Sequence, residues 1–337
     1  MRHYVITGVL VIVVAIATYA GLMAIKLMPV EASAQSIPID QLWNIEIAII
    51  CFLFALIMVP LIYSLIVFRR KKGDTSDGEH IEGNTTLEIT WTVIPLITVL
   101  VLAYMGTYTL GEVTAVDPNA LVINVTARQW SWEFDYAEGF TSTELHLPVN
   151  RQVVLDMQST DVIHSFFVPQ FRMKQDILPG RITTYRVTPN LIGTYQVECA
   201  QLCGLKHSYM TAPVIVSSQA DYDSWIQTQV AAAAVAAQTP LGRGQQLVAK
   251  YGCTGCHSVD GSSTGIAPTW LGLYQSQVKL NNGTTVTANE AYLTESIVNP
   301  SAKIVNGFQD NVMPKTFGTT LSQSQISDII TYIESLK

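Results

Sequence analysis

The sequence predicts a multi-domain membrane protein: a transmembrane helical hairpin, preceded by a signal peptide or a third helix, then an all-β sandwich and an all-α C-terminal domain. Three observations carry this expectation. The 337 residues are 49% hydrophobic and only 13% charged, against about 25% charged in an ordinary soluble domain. The long apolar runs lie in the first third of the chain. Beyond residue 110 the pattern changes to short β-branched and aromatic segments and then, past an Ala-rich stretch, to helical signals.

The apolar runs extend from Val5 to Met28, from Ile45 to Phe68 and from Ile89 to Leu110. A bilayer core of about 30 Å needs about 20 apolar residues, and each run is long enough. Arg69, Arg70, Lys71 and Lys72 close the second run, which places that end in the cytoplasm. The third run then returns, and everything after residue 110 is expected on the extracytoplasmic side of a bacterial cell membrane. The first run precedes Ala32-Ser33-Ala34, which resembles a signal-peptidase site, yet it exceeds the roughly 7–15-residue core of a secretory signal. A cleaved signal and a retained helix both fit residues 1–34, with the hairpin at 40–110. The net charge of −7 excludes a nucleic-acid binder, which needs a basic face to neutralise phosphates.

Leu121 to Thr126, Gln152 to Asp156, Thr183 to Val187 and Tyr195 to Glu198 read as strands, punctuated by Gly, Pro and Asn. Short strands of this kind over residues 111–216 imply a sandwich or barrel. Residues 217–240, with an apolar run from Ala231 to Ala237, read as a helical, semi-rigid linker. In 241–337, Ser322 and Gln325 form a capping box, and Ile326, Ile329, Ile330, Ile333 and Leu336 share one helix face.

Five cysteines are an odd number and too few for a disulfide framework in a chain this long. Cys51, within the second run, reads as inert packing. The other four fall in two tight groups beyond the apolar runs. The first is Cys199-Ala-Gln-Leu-Cys203-Gly-Leu-Lys-His207-Ser-Tyr-Met210. Two thiolates, an imidazole and a thioether make a soft set suited to copper. If both sulfurs bridge two coppers, each metal still needs one imidazole and one weak ligand. His207 supplies one imidazole, His164 is the best candidate for the second with His146 as competitor, and Met210 and a loop carbonyl such as that of Gln201 complete the set. The alternative is a Cys199–Cys203 disulfide, which leaves His207 and Met210 without a role. The cysteine count excludes a four-thiolate zinc or iron–sulfur site.

The second group, Cys253-Thr-Gly-Cys256-His257, carries the spacing of covalent c-type haem attachment. Two thioethers would hold the haem, with His257 as proximal ligand. No His follows His257 and only one Met does, Met313, which elimination makes the distal ligand. His/Met ligation closes the iron to substrates and suits electron transfer. A thioredoxin-like dithiol is the alternative, and neither His257 nor Met313 fits it.

Residues 40–216 resemble subunit II of haem–copper cytochrome c oxidases, in which a helical hairpin carries a cupredoxin domain with the binuclear CuA centre. Residues 241–337 resemble a class I cytochrome c, fused as in caa3-type oxidases. Besides the two cysteine groups, the resemblance rests on Val162-Ile-His164-Ser-Phe, Asp176-Ile-Leu-Pro-Gly-Arg181, Gln129-Trp-Ser-Trp132 and Glu88-Ile-Thr-Trp91-Thr-Val-Ile-Pro95. It implies CuA ligation by His164, Cys199, Cys203, His207, Met210 and the Gln201 carbonyl. Many members have Glu at position 201, where its carboxylate also reaches a magnesium at the interface with subunit I. A neutral amide is a poorer ligand for a hard dication, which leaves that magnesium short of one ligand. The resemblance also implies that Trp130 receives electrons from an external cytochrome c, against packing as the plainer role. It implies that Glu88 stands at the entrance of a proton channel, against a helix-start acid as the plainer role. Asp176 is expected to face subunit I.

The expected function is electron input to a terminal oxidase. Electrons would pass from an external donor through haem c and CuA to the haem of subunit I, for reduction of O₂ to water coupled to proton pumping. Subunits I and III are the implied partners. The donor could be a quinol-oxidising complex, a soluble cytochrome or a small copper protein, since residues 241–337 hold six basic and six acidic side chains and lack strong steering. Tethering by this linker of about 24 residues would give the attached domain an effective concentration in the mM range. The alternatives are the CuA/haem c subunit of a nitric oxide reductase and a copper-delivery module, the latter having no use for a haem.

Overall fold

The computed structural model describes residues 1–75, 77–78, 80, 82–262 and 265–337. The chain forms two compact units, Met1–Val116 and Asp117–Lys337. The first consists of α1 (Arg2–Ile25), α2 (Ser36–Val67) and α3 (Thr85–Val113). All three helices are long and apolar enough to cross a membrane. Most of their side chains point outward, an apolar surface that water does not support and lipid does. Pro60 and Pro95 lie inside α2 and α3 without ending them. Cys51 is buried on α2, in keeping with a packing role.

Both hairpin helices outrun the apolar segments that mark them. α2 starts at Ser36, nine residues before Ile45, where the Ser33 hydroxyl accepts from the Ser36 amide at 3.1 Å. α3 starts at Thr85, where the Asn84 side chain accepts from the Leu87 amide at 3.1 Å. Hydropathy marks the part of a helix that lipid must cover, whereas local hydrogen bonds at its first turn, a side-chain cap in α3, mark where the helix starts.

The second unit begins with a two-sheet sandwich. Its strands are β1 (Leu121–Arg128), β2 (Ser131–Tyr136), β3 (Thr141–Ser142), β4 (Leu145–Pro148), β5 (Val153–Ser159), β6 (His164–Phe167), β7 (Lys174–Ile177), β8 (Thr183–Val187), β9 (Gly193–Cys199) and β10 (Thr211–Ser217). One sheet has the order β3-β2-β1-β5-β8 and the other β4-β10-β9-β6-β7. The alternating inward residues Ile123, Val125, Leu155, Met157, Val197 and Val214 are fully buried, as two apolar inner faces require.

The expected linker is an ordered helix, α4 (Gln219–Ala236), capped by the Ser218 side chain. Its first half packs on the sandwich. Tyr222 and Ile226 are buried, and Trp225 stacks on His146 with ring centroids 3.8 Å apart, flanked by Tyr136 and Phe140. His146 is therefore a covered packing residue, not the exposed strand end that its position suggests.

The C-terminal domain holds α5 (Pro240–Lys250), the small hairpin β11 (Gln277–Lys279) and β12 (Thr285–Thr287), α6 (Glu290–Val298), α7 (Phe317–Thr320) and α8 (Gln323–Ser335). The capping box at Ser322 and Gln325 is formed, and Ile326, Ile329, Ile330 and Ile333 are buried as one stripe. α5 crosses α8 at Gly244, where a Cβ would run into the Asp328 backbone carbonyl. Beside it, Arg243 grips the Asp328 carboxylate through two hydrogen bonds of 2.8 Å. In an open helix Gly→Ala stabilises by about 1 kcal/mol. Here overpacking reverses the sign, so Gly244→Ala should destabilise the C-terminal domain by about 2 kcal/mol, read from urea unfolding by circular dichroism. A gain in stability would mean that the two helices do not cross at this glycine.

Candidate metal and cofactor sites

The first cysteine group lies at one end of the β4-β10-β9-β6-β7 sheet. Cys199 ends β9 and pairs across to Phe166 of β6, while His164 begins β6. The loop 200–210 is pinned at both ends, since the Cys199 amide donates to the Met210 carbonyl at 3.1 Å and the Ala200 amide to the Ser165 carbonyl at 3.0 Å. These bonds bring together His164, Cys199, Cys203, His207 and Met210, as expected from sequence. The two sulfurs stand 3.7 Å apart, far beyond the roughly 2.05 Å of a disulfide, and both cysteines are free. His164 Nδ1 faces the Cys199 sulfur at 3.8 Å and His207 Nδ1 faces the Cys203 sulfur at 3.6 Å. Met210 Sδ lies 3.8 Å from the Cys203 sulfur, and the Gln201 carbonyl 3.3 Å from that of Cys199.

Among the described residues, His164, Cys199 and Cys203 bring one ligand atom each within 4.8 Å of one another. His146 does not join them. β4 is separated from β6 by β10 and β9, three strand spacings or about 14 Å.

Burial disfavours both thiolates. At Cys199, hydrogen bonds from His164, the Gln201 and Ser165 backbones and His207 outweigh it and bring the thiol below its ordinary value. Burial, together with repulsion from the Cys199 thiolate, pushes Cys203 up. One proton thus leaves the pair readily and the second is retained, as for like charges in close contact.

Sequence reasoning singled out Trp130 and the Gln129–Trp132 stretch but missed their contacts with the cysteine loop, and it missed Asp161 altogether. Asp161 Oδ1 lies 2.8 Å from His164 Nε2, fixing the ring with Nδ1 toward the sulfur. Gln129 and Trp130 donate to the Cys203 carbonyl at 2.7 and 3.2 Å, and Trp132 donates to the Met210 carbonyl at 3.3 Å. A carboxylate three residues before a ligand His was a usable signal for Asp161. No sequence signal connects position 129 or 130 to position 203.

The second cysteine group opens onto a cavity of about 790 Å³. Cys253, Cys256, His257 and Met313 all line it, with Trp270 and Leu293. His257 Nδ1 faces the Pro268 carbonyl at 2.9 Å and the ring stacks on Trp270 at 4.7 Å. Donation from Nδ1 to that carbonyl leaves Nε2 as the free lone pair. Burial holds His257 down at about 4, so the imidazole is neutral and fit to ligate a metal. Burial also pushes the Cys253 thiol up to about 12.

The far wall of this cavity comes from the sandwich and includes Arg128, Gln129 and Glu133. Glu133 is 5% exposed and pairs with Arg128 at 2.7 Å. Glu88 lies in the other unit, exposed in the first turn of α3, with Oε1 accepting from the Asn84 amide at 3.4 Å.

Three family models match the chain. They are the transmembrane domain of cytochrome c oxidase subunit II over residues 17–107, the periplasmic domain of that subunit over 140–219, and cytochrome c over 241–337. Cytochrome c oxidase subunit 2 of Alkalihalophilus pseudofirmus is 32% identical over 307 residues, covering 87% of this chain and 86% of the relative. The Synechocystis protein of that name is 35% identical, covering 59% of this chain and 75% of the relative. The Thermostichus vulcanus protein is 33% identical, covering 59% and 77%.

Burial, partly offset by Arg128, lifts the Glu133 carboxyl from its ordinary 4.5 to about 7. Between those two values the folded state keeps a proton that the unfolded chain releases. Its contribution to stability is therefore fully present below the ordinary value, falls as pH rises toward 7 and is flat above. From about pH 5 to about pH 7 the wild type should lose about 2 kcal/mol more than Glu133→Gln, measured by urea unfolding. Parallel pH curves for the two proteins would place this carboxyl in solvent.

Proposed function

The chain belongs to the cytochrome c oxidase subunit II family, and we propose that it is the electron-input subunit of a terminal haem–copper oxidase. It is a membrane protein with an extracytoplasmic domain and a subunit of an oxidoreductase complex, and its family implies CuA copper and haem c. The reading rests on one observation above all: two sites built for one-electron carriers lie in the same compact unit and share the β1–β2 hairpin.

The donor set fits two coppers. Each sulfur already faces a different imidazole nitrogen, Cys199 that of His164 and Cys203 that of His207, and a thioether and a carbonyl stand at the two flanks. Softness selects copper over calcium or magnesium. His164, Cys199, Cys203, His207, Met210 and the Gln201 carbonyl would hold the pair. The second cavity fits a haem, which Cys253 and Cys256 would hold through thioethers and His257 and Met313 would ligate. When bound, the two groups supply one-electron carriers without a coordination position open to substrate.

The chain's residues would hold those carriers rigidly. The strand ladder fixes Cys199 and His164, the pinned loop fixes the rest, and the Pro268 carbonyl fixes the His257 tautomer. Reduction of O₂ to water, with proton pumping, is assigned to a partner subunit I.

Gas uptake by the purified membrane complex, supplied with a small-molecule reductant, tests the reading. Rapid cyanide-sensitive O₂ consumption is expected. Cys199→Ser should abolish the CuA absorption and slow turnover by about tenfold or more, about 1.4 kcal/mol in the barrier, while the haem band stays. Met313→Leu should slow turnover with a protein donor and leave the CuA band intact. No O₂ uptake together with rapid NO loss would overturn the proposed acceptor.

A further inference from the structure

The wall of the Cys253–His257 cavity holds a buried acid that the proposed function leaves unused. Glu133 lies on β2 opposite Thr126 of β1, is 5% exposed and lines the cavity that Cys253, Cys256, His257 and Met313 also line. Thr126, Gln158 and Thr160 make this part of the wall polar, whereas the C-terminal domain adds an apolar share that includes Leu293, Ile297 and Ile329. Arg128 joins the two parts. One guanidinium nitrogen donates to Glu133 Oε2 at 2.7 Å and the other to the Lys250 carbonyl at the end of α5. Lys206 Nζ, donating to the Gly255 carbonyl at 3.4 Å, is a second link across the same boundary.

The charged groups facing Glu133 are Arg128 on β1, Asp135 on its own strand and Lys250 on α5. The other strands against β2, which are β3 over Thr141–Ser142 and β10 over Thr211–Ser217, carry no titratable side chain. The remaining titratable groups of the cavity are engaged elsewhere. Asp135 accepts from the Thr141 hydroxyl at 2.7 Å, Asp161 is fastened to His164, and Lys303 pairs with Glu295. Burial pushes Tyr292 further above neutrality, and a guanidinium keeps its charge at any working pH. Among the described residues of this wall, Glu133 is the acid placed to change charge near neutrality, because burial, partly offset by Arg128, lifts its carboxyl to about 7.

One electron entering the cavity lowers the charge there by one, where little water screens it. A carboxylate in the wall is then opposed by a like charge and binds a proton more tightly. By linkage, the proton raises the affinity for the electron by the same factor. We propose that Glu133 is a redox-linked proton site, taking up a proton when the group held by Cys253, Cys256, His257 and Met313 gains an electron and releasing it when the electron leaves. The proposal deepens the proposed function and rests on its haem assignment. The external donor supplies the electron that converts ferric to ferrous iron, extracytoplasmic water supplies the proton, and Glu133 passes from carboxylate to carboxylic acid. Arg128, charged in both states, is the positioning residue that keeps this carboxyl in the wall. Acid on the extracytoplasmic side then makes the haem a poorer donor to the Cys199–Cys203 centre, which ties electron input to the pH on that side.

Redox titration of the purified complex, following the covalent haem band over a series of pH values, tests this without turnover. The wild-type midpoint potential should be flat in the acid range. From about pH 7 upward it should fall, by at most about 59 mV per tenfold drop in proton concentration. Glu133→Gln, which fixes the neutral form, should keep the acid-range potential throughout. Glu133→Asp retains a titrating carboxyl and should retain the fall with its onset moved, which carries the test if Gln at this position impairs folding or haem attachment.

A wild-type potential that does not change with pH would overturn the proposal. So would a fall of equal size in Glu133→Gln, or an onset left in place by Glu133→Asp, since either assigns the proton to another group. Absence of a covalent haem band from the chain is a separate outcome: it would overturn the haem assignment, and the proposal with it.

Discussion

Two buried cysteine sulfurs held 3.7 Å apart must share either a proton or a metal, because two bare thiolates at that distance repel each other with little water to screen them. The surrounding structure follows from keeping them there. β9 delivers Cys199 in register with β6, which delivers His164, and the Met210 carbonyl closes the loop back onto the Cys199 amide. One imidazole nitrogen is set against each sulfur. Gln129, Trp130 and Trp132 use their N–H groups to fix loop carbonyls rather than to touch the sulfurs. The sandwich contributes stiffness: strands bonded on both sides leave the ligands little freedom to collapse into a disulfide.

Much of this was legible in the sequence because the signals are local. A membrane span is a property of about twenty consecutive residues, and all three spans fall where the apolar runs lie. The four strands chosen by β-branched content are real strands, and the Ser322–Gln325 capping box is formed. The candidate ligand cluster was readable because four of its members fall within twelve residues and ligand arithmetic demanded one remote histidine. The separation of His164 from His146 was harder to read. Sheet order places His164 beside Cys199 and leaves His146 on β4, at the edge of the sheet and two strands away.

What the sequence hid are pairings with large separation. Arg128 meets Lys250, Gly244 meets Asp328, Trp130 meets Cys203 and His257 meets Pro268 or Trp270 through the fold. None of these residues is chemically unusual by itself. Glu133 illustrates the point. In sequence it is one acid in a strand of mixed polarity, while in the fold it is a buried carboxyl in the wall of a cavity that another domain completes. Glycines carry the same kind of hidden information. Gly252 reads as a small residue before an attachment motif, and only the sandwich beside it shows that the space it leaves is occupied by Ser131 and Arg128.

The segment 217–240 adds most to the physical picture. A linker of that length free of the sandwich would make the encounter between the two domains a matter of effective concentration. The helix that the sequence predicts there is instead anchored over its first half by Tyr222, Trp225 and Ile226 on the sandwich, and its last turn meets the start of α5, where Gly242 leaves no room for a Cβ against the Ala236 backbone. Anchored at one end by α4 and at the other by the Arg128 and Lys206 contacts, the C-terminal domain is held at two separated points. Two such points oppose rotation as well as translation, which a single tether does not. The geometry between the cavity and the sulfur pair then becomes a property of folding rather than of diffusion, with the entropy of bringing the domains together met once, when the chain folds.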